Sequence, residues 1–277
     1  MSVCGRGRPF SSELTCAGLF RHLGIMPDFR VFYRSSDREP AEIHLDAGES
    51  HHLVAVNRCS RGDPVIAFDG HGREWITECV EPSKNATVLR VRESRQAKPL
   101  PHAIALAQAL PKGSTMDDII RQATEVGAAR IVPLLSERTQ VHLDGDRADK
   151  KIEKWHIGAI EAAKQCGNPW LPEIAPVQNF AAFVQNTQDY DFKLVASLHA
   201  GAMGLKTALD YFREKHGGAA PRKAIWLIGP EGDFSPAELT AAITAGFQPI
   251  TLGPLVLRSD TAAIYALSIL GYELMHG

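Results

Sequence analysis

Short catalytic signatures are scarce in this 277-residue chain. No GxGxxG follows an apolar run, which argues against a dinucleotide site of the Rossmann type. The segment PKGST, Pro111 to Thr115, offers a lysine and hydroxyls but lacks the residue order of a phosphate loop. HExxH, nucleophile-elbow and Ser-His-Asp patterns are all missing, so zinc-protease and serine-hydrolase chemistry drop out. The five cysteines, Cys4, Cys16, Cys59, Cys79 and Cys166, are odd in number, scattered and free of CxxC spacing. That argues against a disulfide scaffold or zinc site and points to reduced thiols in the cytoplasm. His51 and His52 have no carboxylate or cysteine at ligand spacing, so no metal is expected there. No apolar stretch approaches the roughly 20 residues of a membrane helix. An excess of either charge is lacking too: 30 basic and 32 acidic side chains leave a formal net charge of -2. Such a chain is no nonspecific polyanion binder, and any nucleic-acid contact must use local basic patches.

What the chain does contain falls into three parts. Residues 1–25 carry Arg6, Arg8 and Arg21 against one acid, Glu13, and lack the apolar core of a secretory signal. They read either as a transit-type leader or as a start placed too early, with Met26 as the working start; either way they are expected to be poorly ordered. From Phe29 to Val91, the runs FRVFY, AEIHL, DPVIAFDGHGREWITECV and ATVLRV alternate apolar with polar residues, as half-buried strands do. Asp69-Gly70 before His71-Gly72 marks a hairpin. Only ESHHLVAVNRC reads as helical, so this part is predicted to be a small β-barrel-like unit. ESRQAKPLP, Glu93 to Pro101, reads as a linker.

From His102 strands alternate with helices. AIALAQAL, RIVPLL, FKLVASL, AIWLIG and QPITLG are near-continuous apolar strands. TMDDIIRQATEVG is an amphipathic helix with Ile119, Ile120, Ala123 and Val126 on one side and Gly127 as its stop, and residues 147–165 form a long helix. The alternation predicts an α/β fold with a parallel sheet covered on both faces. Ligands of such sheets lie beyond the carboxyl ends of the strands.

Two bends of one design sit at such ends. LIGPEGDFSPAEL, Leu227 to Leu239, leads from a strand into Gly229 and Gly232 around Pro230-Glu231. The glycines can take positive φ at little steric cost, and their lack of side chains lets a flat ligand approach the backbone. Ser235, Pro236 and Glu238 then form a capping box with proline at the first helical position. TLGPLVLRSDTAAIYAL, Thr251 to Leu267, repeats the design with Gly253-Pro254, the apolar step Leu255-Val256-Leu257 and Arg258, and Ser259 or Asp260 is expected to cap the last helix. The two loops are predicted to form walls of one pocket that grips by backbone amides and apolar side chains.

Together these loops closely resemble the paired signature of the bacterial 16S ribosomal RNA (uracil-N3) methyltransferases, of the SPOUT class. FRVFY, HHLVAVNRCSRGD, FDGHG, LPKGSTMDDIIRQATEVGAARIVPLLSERTQV, KQCGNPWLPEI and LVASLHAG fall in the family's order, so the resemblance spans residues 27–275. It implies a SPOUT-type parallel sheet with a C-terminal trefoil knot in residues 98–277, behind a PUA-like RNA-binding β-barrel in residues 26–97. It further implies S-adenosyl-L-methionine as methyl donor, a homodimer packed through the knot, and 16S ribosomal RNA or the assembled small subunit as substrate. Donor contacts carry over to Leu198 and His199, to Ile228, Gly229, Pro230, Glu231 and Gly232, and to Leu252, Gly253, Leu257 and Thr261. Arg258 is the implied catalytic residue, anchoring an RNA phosphate or stabilising charge on the uracil oxygens as N3 ionises. His199 and Asp260 are candidate proton acceptors beside solvent. Arg30, Arg58, Lys112, Arg121 and Arg138 match basic positions expected to meet RNA.

Three departures bear on RNA affinity and target position more than on the donor site. Leu255 stands where the family usually has a second arginine, and Asp260-Thr261 where it has Glu-Thr. Lys164-Gln-Cys-Gly-Asn168 replaces an acid-Gln-Cys/Ser-Gly-Arg run. The alternatives left open are a SPOUT methyltransferase acting elsewhere on RNA, a catalytically inactive RNA-binding relative, and an unrelated α/β enzyme using a nucleotide cofactor.

Overall fold

The computed structural model describes residues 29–34, 39–141, 145–199 and 201–276; the expected leader lies outside them. The described chain forms two compact units, residues 29–31, 39–67 and 75–93 in one and 32–34, 68–74 and 94–276 in the other. Strands β1 (Phe29–Phe32), β2 (Glu42–His44), β3 (Pro64–Phe68), β4 (Arg73–Glu81) and β5 (Val88–Gln96) make one sheet in the order β1-β3-β4-β5-β2. Along β4 the side chains of Trp75, Thr77 and Cys79 are buried while those between them are half-buried, the period of a one-sided strand. The hairpin between β3 and β4 falls where DGHG predicts it. The Asp69 carboxylate accepts the His71 N–H at 2.6 Å and the Arg73 N–H at 3.1 Å, while Gly70 and Gly72 take φ of 79° and 85°. The helical segment is α1 (Ala47–His51), capped by Asp46 and continued by a π-helical turn over His52–Val56. Cys59 and Cys79 meet in the interior, and burial, helped by the neighbouring Cys79, pushes the Cys59 thiol up to about 12. The predicted linker is shorter than expected, because β5 runs on to Gln96. Its end is held by an Arg95–Glu74 pair at 2.8 Å and by the Gln96 amide donating to the His71 carbonyl at 3.0 Å.

In the second unit, β6 (Ala103–Ala109), β7 (Arg130–Leu135), β8 (Glu173–Ile174), β10 (Phe192–Ala196), β11 (Lys223–Ile228) and β12 (Gln248–Ile250) follow the order β12-β10-β11-β6-β7-β8, and β9 (Gln178–Asn179) adds to β7. Every registered pair is parallel. The sequence explains both covered faces. In β11, Ala224, Trp226 and Ile228 join one core with Ile104 and Leu106 of β6, while Ile225 and Leu227 join a second core with Ala105 and Ala107. The first core is closed by residues of α2 (Thr115–Glu125), α3 (Gly145–Cys166), α5 (Leu205–Lys215) and α7 (Ser259–His276), the second by α4 (Phe180–Val184) and α6 (Pro236–Thr244). Helix α2 buries Met116, Ile119, Ile120, Ala123 and Thr124, a stripe at three- and four-residue spacing, and stops at Gly127 with φ of 81°. Asp117 ties it to α3, accepting from Lys154 at 2.5 Å and from the Trp155 ring N–H at 2.9 Å. Among the described residues, no helix is long and apolar enough to cross a membrane.

Candidate active site

The carboxyl ends of β10, β11 and β12 lie side by side, and the chain leaving them encloses a cleft of about 330 Å3. That volume suits a small organic ligand, for which pockets of roughly 300–1,000 Å3 are usual. One wall is Ala196 to Leu198 after β10. A second is Ile228 to Glu231 with Asp233 after β11. The third runs from Leu252 and Gly253 through Leu255 to Asp260, with Ala262 on the first turn of α7. Thr115 at the start of α2 closes the remaining side.

Each wall is fixed by local chemistry. After β11 the chain turns through Pro230–Asp233, where the Asp233 N–H reaches the Pro230 carbonyl at 2.9 Å. Neither Gly229 nor Gly232 uses the positive φ open to it; the left-handed residue is Asp233, at 58°. At Gly229 space is tight instead: a Cβ there would lie 3.1 Å from the Asp233 carboxylate and 3.3 Å from its Cα, so the turn would have to shift by a few tenths of an ångström. Ser235 and Glu238 form the expected reciprocal capping box on α6. Neighbours hold the loop from outside. The Lys112 N–H donates to the Glu231 carboxylate at 3.0 Å, and the Arg138 guanidinium donates to the Gly232 carbonyl at 2.7 Å.

The second loop depends on Gly253, whose φ of 118° disfavours any side chain. The Thr251 hydroxyl braces it, accepting the Gly253 N–H and donating to the Gly253 carbonyl, both at 3.2 Å. The expected cap of α7 is different in kind. The Arg258 carbonyl accepts the Ala262 N–H at 2.8 Å, which makes Arg258 the boundary residue. Asp260 takes the Thr261 N–H at 2.9 Å, and the Ser259 hydroxyl donates to the Gly229 carbonyl at 2.9 Å. The helix start thus anchors the Arg258 backbone, while its side chain stays 82% exposed with Nε 3.6 Å from the Asp260 carboxylate.

Among the sequence-predicted donor contacts, Leu198, Ile228, Gly229, Pro230, Glu231, Leu252, Gly253 and Leu257 line this one cleft, as does Arg258. His199, Gly232 and Thr261 do not. The His199 N–H is turned to the Ser197 hydroxyl at 3.2 Å, the Gly232 carbonyl is occupied by Arg138, and the Thr261 N–H by Asp260. Of the basic residues, Arg30 lies on β1 and Arg58 is exposed in a left-handed conformation at φ 63°. Lys112 and Arg138 are exposed beside the first loop. Arg121 is paired along its own helix with Glu125 at 3.0 Å and Asp118 at 3.7 Å. Lys164, from the departing KQCGN run, has a largely buried side chain that donates to Glu161 at 2.7 Å, and the Asn168 side chain accepts the Trp170 N–H at 2.9 Å.

The lining contains Glu231, Asp233 and Asp260 against the single guanidinium of Arg258. Three carboxylates and apolar walls suit a cationic ligand with a flat apolar part, and oppose a di- or triphosphate. A sulfonium nucleoside meets both demands. Sequence reasoning did not place Thr115, Ser197 or Asp233 in this cleft, and it named Ser259 only as a cap of the last helix.

An RNA methyltransferase domain profile matches residues 98–271, more than half of the chain, and an RNA methyltransferase PUA domain profile matches residues 45–92. The chain belongs to the RNA methyltransferase family. It is 33% identical over 244 residues to the ribosomal RNA small subunit methyltransferase E of Bacillus subtilis, covering 86% of this chain and 94% of that one. The protein of the same name from Synechocystis is 33% identical over 231 residues, covering 82% and 72%. Among solved structures, a Legionella pneumophila protein described as a methyltransferase, in complex with the cofactor SAM, is 29% identical. It superposes with a TM-score of 0.79 over 88% of this chain and 97% of its own. Within this RNA methyltransferase, the PUA match falls on the first unit apart from residues 68–74, and the methyltransferase match lies within the second.

Proposed function

We propose that this RNA methyltransferase uses S-adenosyl-L-methionine to methylate N3 of a uridine in 16S ribosomal RNA, free or in the assembled small subunit. The observation that carries this reading is the acidic, apolar-walled cleft at three adjacent strand ends with Arg258 at its third wall. The names of the Bacillus and Synechocystis relatives and the SAM complex of the Legionella protein support it. When bound, S-adenosylmethionine supplies a methyl group made electrophilic by the sulfonium. Leu198, Ile228, Leu252 and Leu257 provide apolar surface for the adenine, and the amides of the two glycine loops provide its polar contacts. Glu231, Asp233 and Asp260 complement the positive charge. Holding the partners in line lowers the barrier by several kcal/mol without any covalent step on the protein. Arg258, with its head exposed, stabilises the negative charge that spreads to the uracil oxygens as N3 gives up its proton. Asp260 beside it is the candidate to receive that proton, with solvent as the alternative route.

The boundaries 26–97 for the RNA-binding part and 98–277 for the methyltransferase part belong to this proposal, as do the trefoil knot and the homodimer. The exposed stripe of Tyr265, Tyr272 and Met275 on α7, at helical spacing, supports a second copy packing there. A monomer mass by sedimentation at micromolar concentration would contradict the dimer. The odd number and scattered spacing of the five cysteines support a cytoplasmic setting.

The test is incubation with methyl-labelled donor and unmodified small-subunit RNA, followed by nucleoside mass spectrometry. Labelled 3-methyluridine is expected. A different labelled nucleoside would move the enzyme to another target, and no label on RNA, subunit or donor-loaded protein would make it an inactive relative.

A further inference from the structure

Gln108 is a polar side chain in an apolar strand, and it is completely buried. It is the register partner of Ile228, the last residue of β11, so it lies where the sheet ends and the first cleft loop begins. Its amide nitrogen donates to the Ala109 carbonyl and to the Ser259 hydroxyl, both at 2.8 Å, with the Gly229 carbonyl 3.5 Å away. The Ser259 hydroxyl in turn donates to the Gly229 carbonyl at 2.9 Å. Three oxygens around one nitrogen fix the orientation of the carboxamide, because a flip would place oxygen against carbonyl oxygen. Past Ile228 the Gly229 carbonyl has left the ladder, and it is satisfied by this pair of side chains. The chain Gln108–Ser259–Gly229 therefore joins the end of β6, the first residue of the first loop and the first turn of α7, next to Arg258.

We infer that Gln108 is a positioning residue of the methyl-donor cleft, setting through Ser259 the spacing between the Gly229 loop and Arg258. The inference rests on the donor-binding reading above. It deepens that reading by assigning a function to a residue that touches no ligand. Losing one buried hydrogen bond that holds the wall should cost about tenfold in donor affinity.

The test compares wild type, Gln108→Met, Ser259→Ala and the double variant for donor Kd by calorimetry, for kcat and KM, and for thermal unfolding. Wild type must bind S-adenosylmethionine; if it does not, the functional reading fails and this inference with it. Given binding, each single variant should raise the donor Kd and KM about tenfold and lower kcat, and the double variant should be no worse than either, because both act on one link. A folded Gln108→Met or Ser259→Ala protein with wild-type donor Kd and kcat overturns the inference while leaving the function standing. So does a lower melting temperature with unchanged kinetics of the folded fraction, or a double variant whose losses multiply.

Discussion

Replacing Gly253 with alanine separates a conformational demand of the cleft from an ordinary packing demand. A Cβ at Gly253 would meet nothing within 4 Å, so any cost comes from its φ of 118°. Holding a side chain in that region costs roughly 1–3 kcal/mol. The loop is exposed from Gly253 to Val256, and Gly253 is held only by the exposed Thr251 hydroxyl two residues away rather than by a sheet, so it has room to relax and shed the strain. The donor must then restore the strained shape on binding. The expected result for Gly253→Ala is a melting temperature close to wild type and a donor Kd raised about 5- to 150-fold, the same strain expressed as affinity. Gly62 supplies the control. It has φ of 94°, also has open space around a Cβ, and lies in the first unit. It is held in place by its N–H on the Cys79 carbonyl at 2.8 Å, and the Cys79 N–H bonds the adjoining Asp63 carbonyl at 2.9 Å. There the strain cannot escape, so Gly62→Ala should lose stability and keep the donor Kd. Calorimetric titration and thermal unfolding of both variants decide the matter. A wild-type donor Kd in Gly253→Ala would refute the argument that this loop shapes the site.

Three further outcomes follow from other parts of the molecule. Arg258→Ala should retain donor binding but lose about 10²–10³ in kcat, the usual effect of removing one donor to a developing oxyanion; single-turnover methyl transfer checks it, and full activity would remove Arg258 from the mechanism. Burial opposes ionisation of Asp117, but hydrogen bonds from Lys154 and Trp155 outweigh it and hold the carboxyl below its ordinary value. A depressed carboxylate stabilises the fold above its unfolded pKa and loses that effect as pH falls through the folded one. The deficit of Asp117→Asn, about 1 kcal/mol given that Lys154 is 62% exposed, should therefore be present at neutral pH, begin to shrink as pH falls below the ordinary carboxylate range, and disappear as it passes the lower folded value, as urea melts across the acid range would register. Alkylation at pH 8 with peptide mapping should mark the exposed Cys166 readily and spare Cys59 and Cys79, whose thiols burial keeps protonated; rapid labelling of Cys79 in folded protein would contradict their packing.

Much of this architecture is written in local patterns. AIWLIG and AIALAQAL predict strands buried on both faces because every second residue must meet a helix, and Trp226 and Ile225 do enter opposite cores. Ser235, Pro236 and Glu238 specify their own cap. The cleft was legible as two glycine turns after strands, since only strand ends of a parallel sheet leave a crevice there. The details set by distant residues were not legible. Space at Gly229 is tight because Asp233 folds back beside it, a crowding no propensity reports. The Arg138 bond to the Gly232 carbonyl joins residues 94 apart in sequence, and the Gln108 bond to Ser259 joins residues 151 apart. In the sequence Gln108 is only a polar interruption of an apolar run. His199 and Thr261 were carried over by motif position, and local hydrogen bonds turn their backbone N–H groups elsewhere.

A crystal of the protein grown with S-adenosylmethionine puts the central claim to its most direct trial. The donor is expected between Leu198, the Pro230–Glu231 turn and the Leu252–Leu257 loop, with its methyl group facing the side on which Arg258 stands. Donor density in a second surface cleft, between α4 and α6, with this cleft vacant, would contradict that placement.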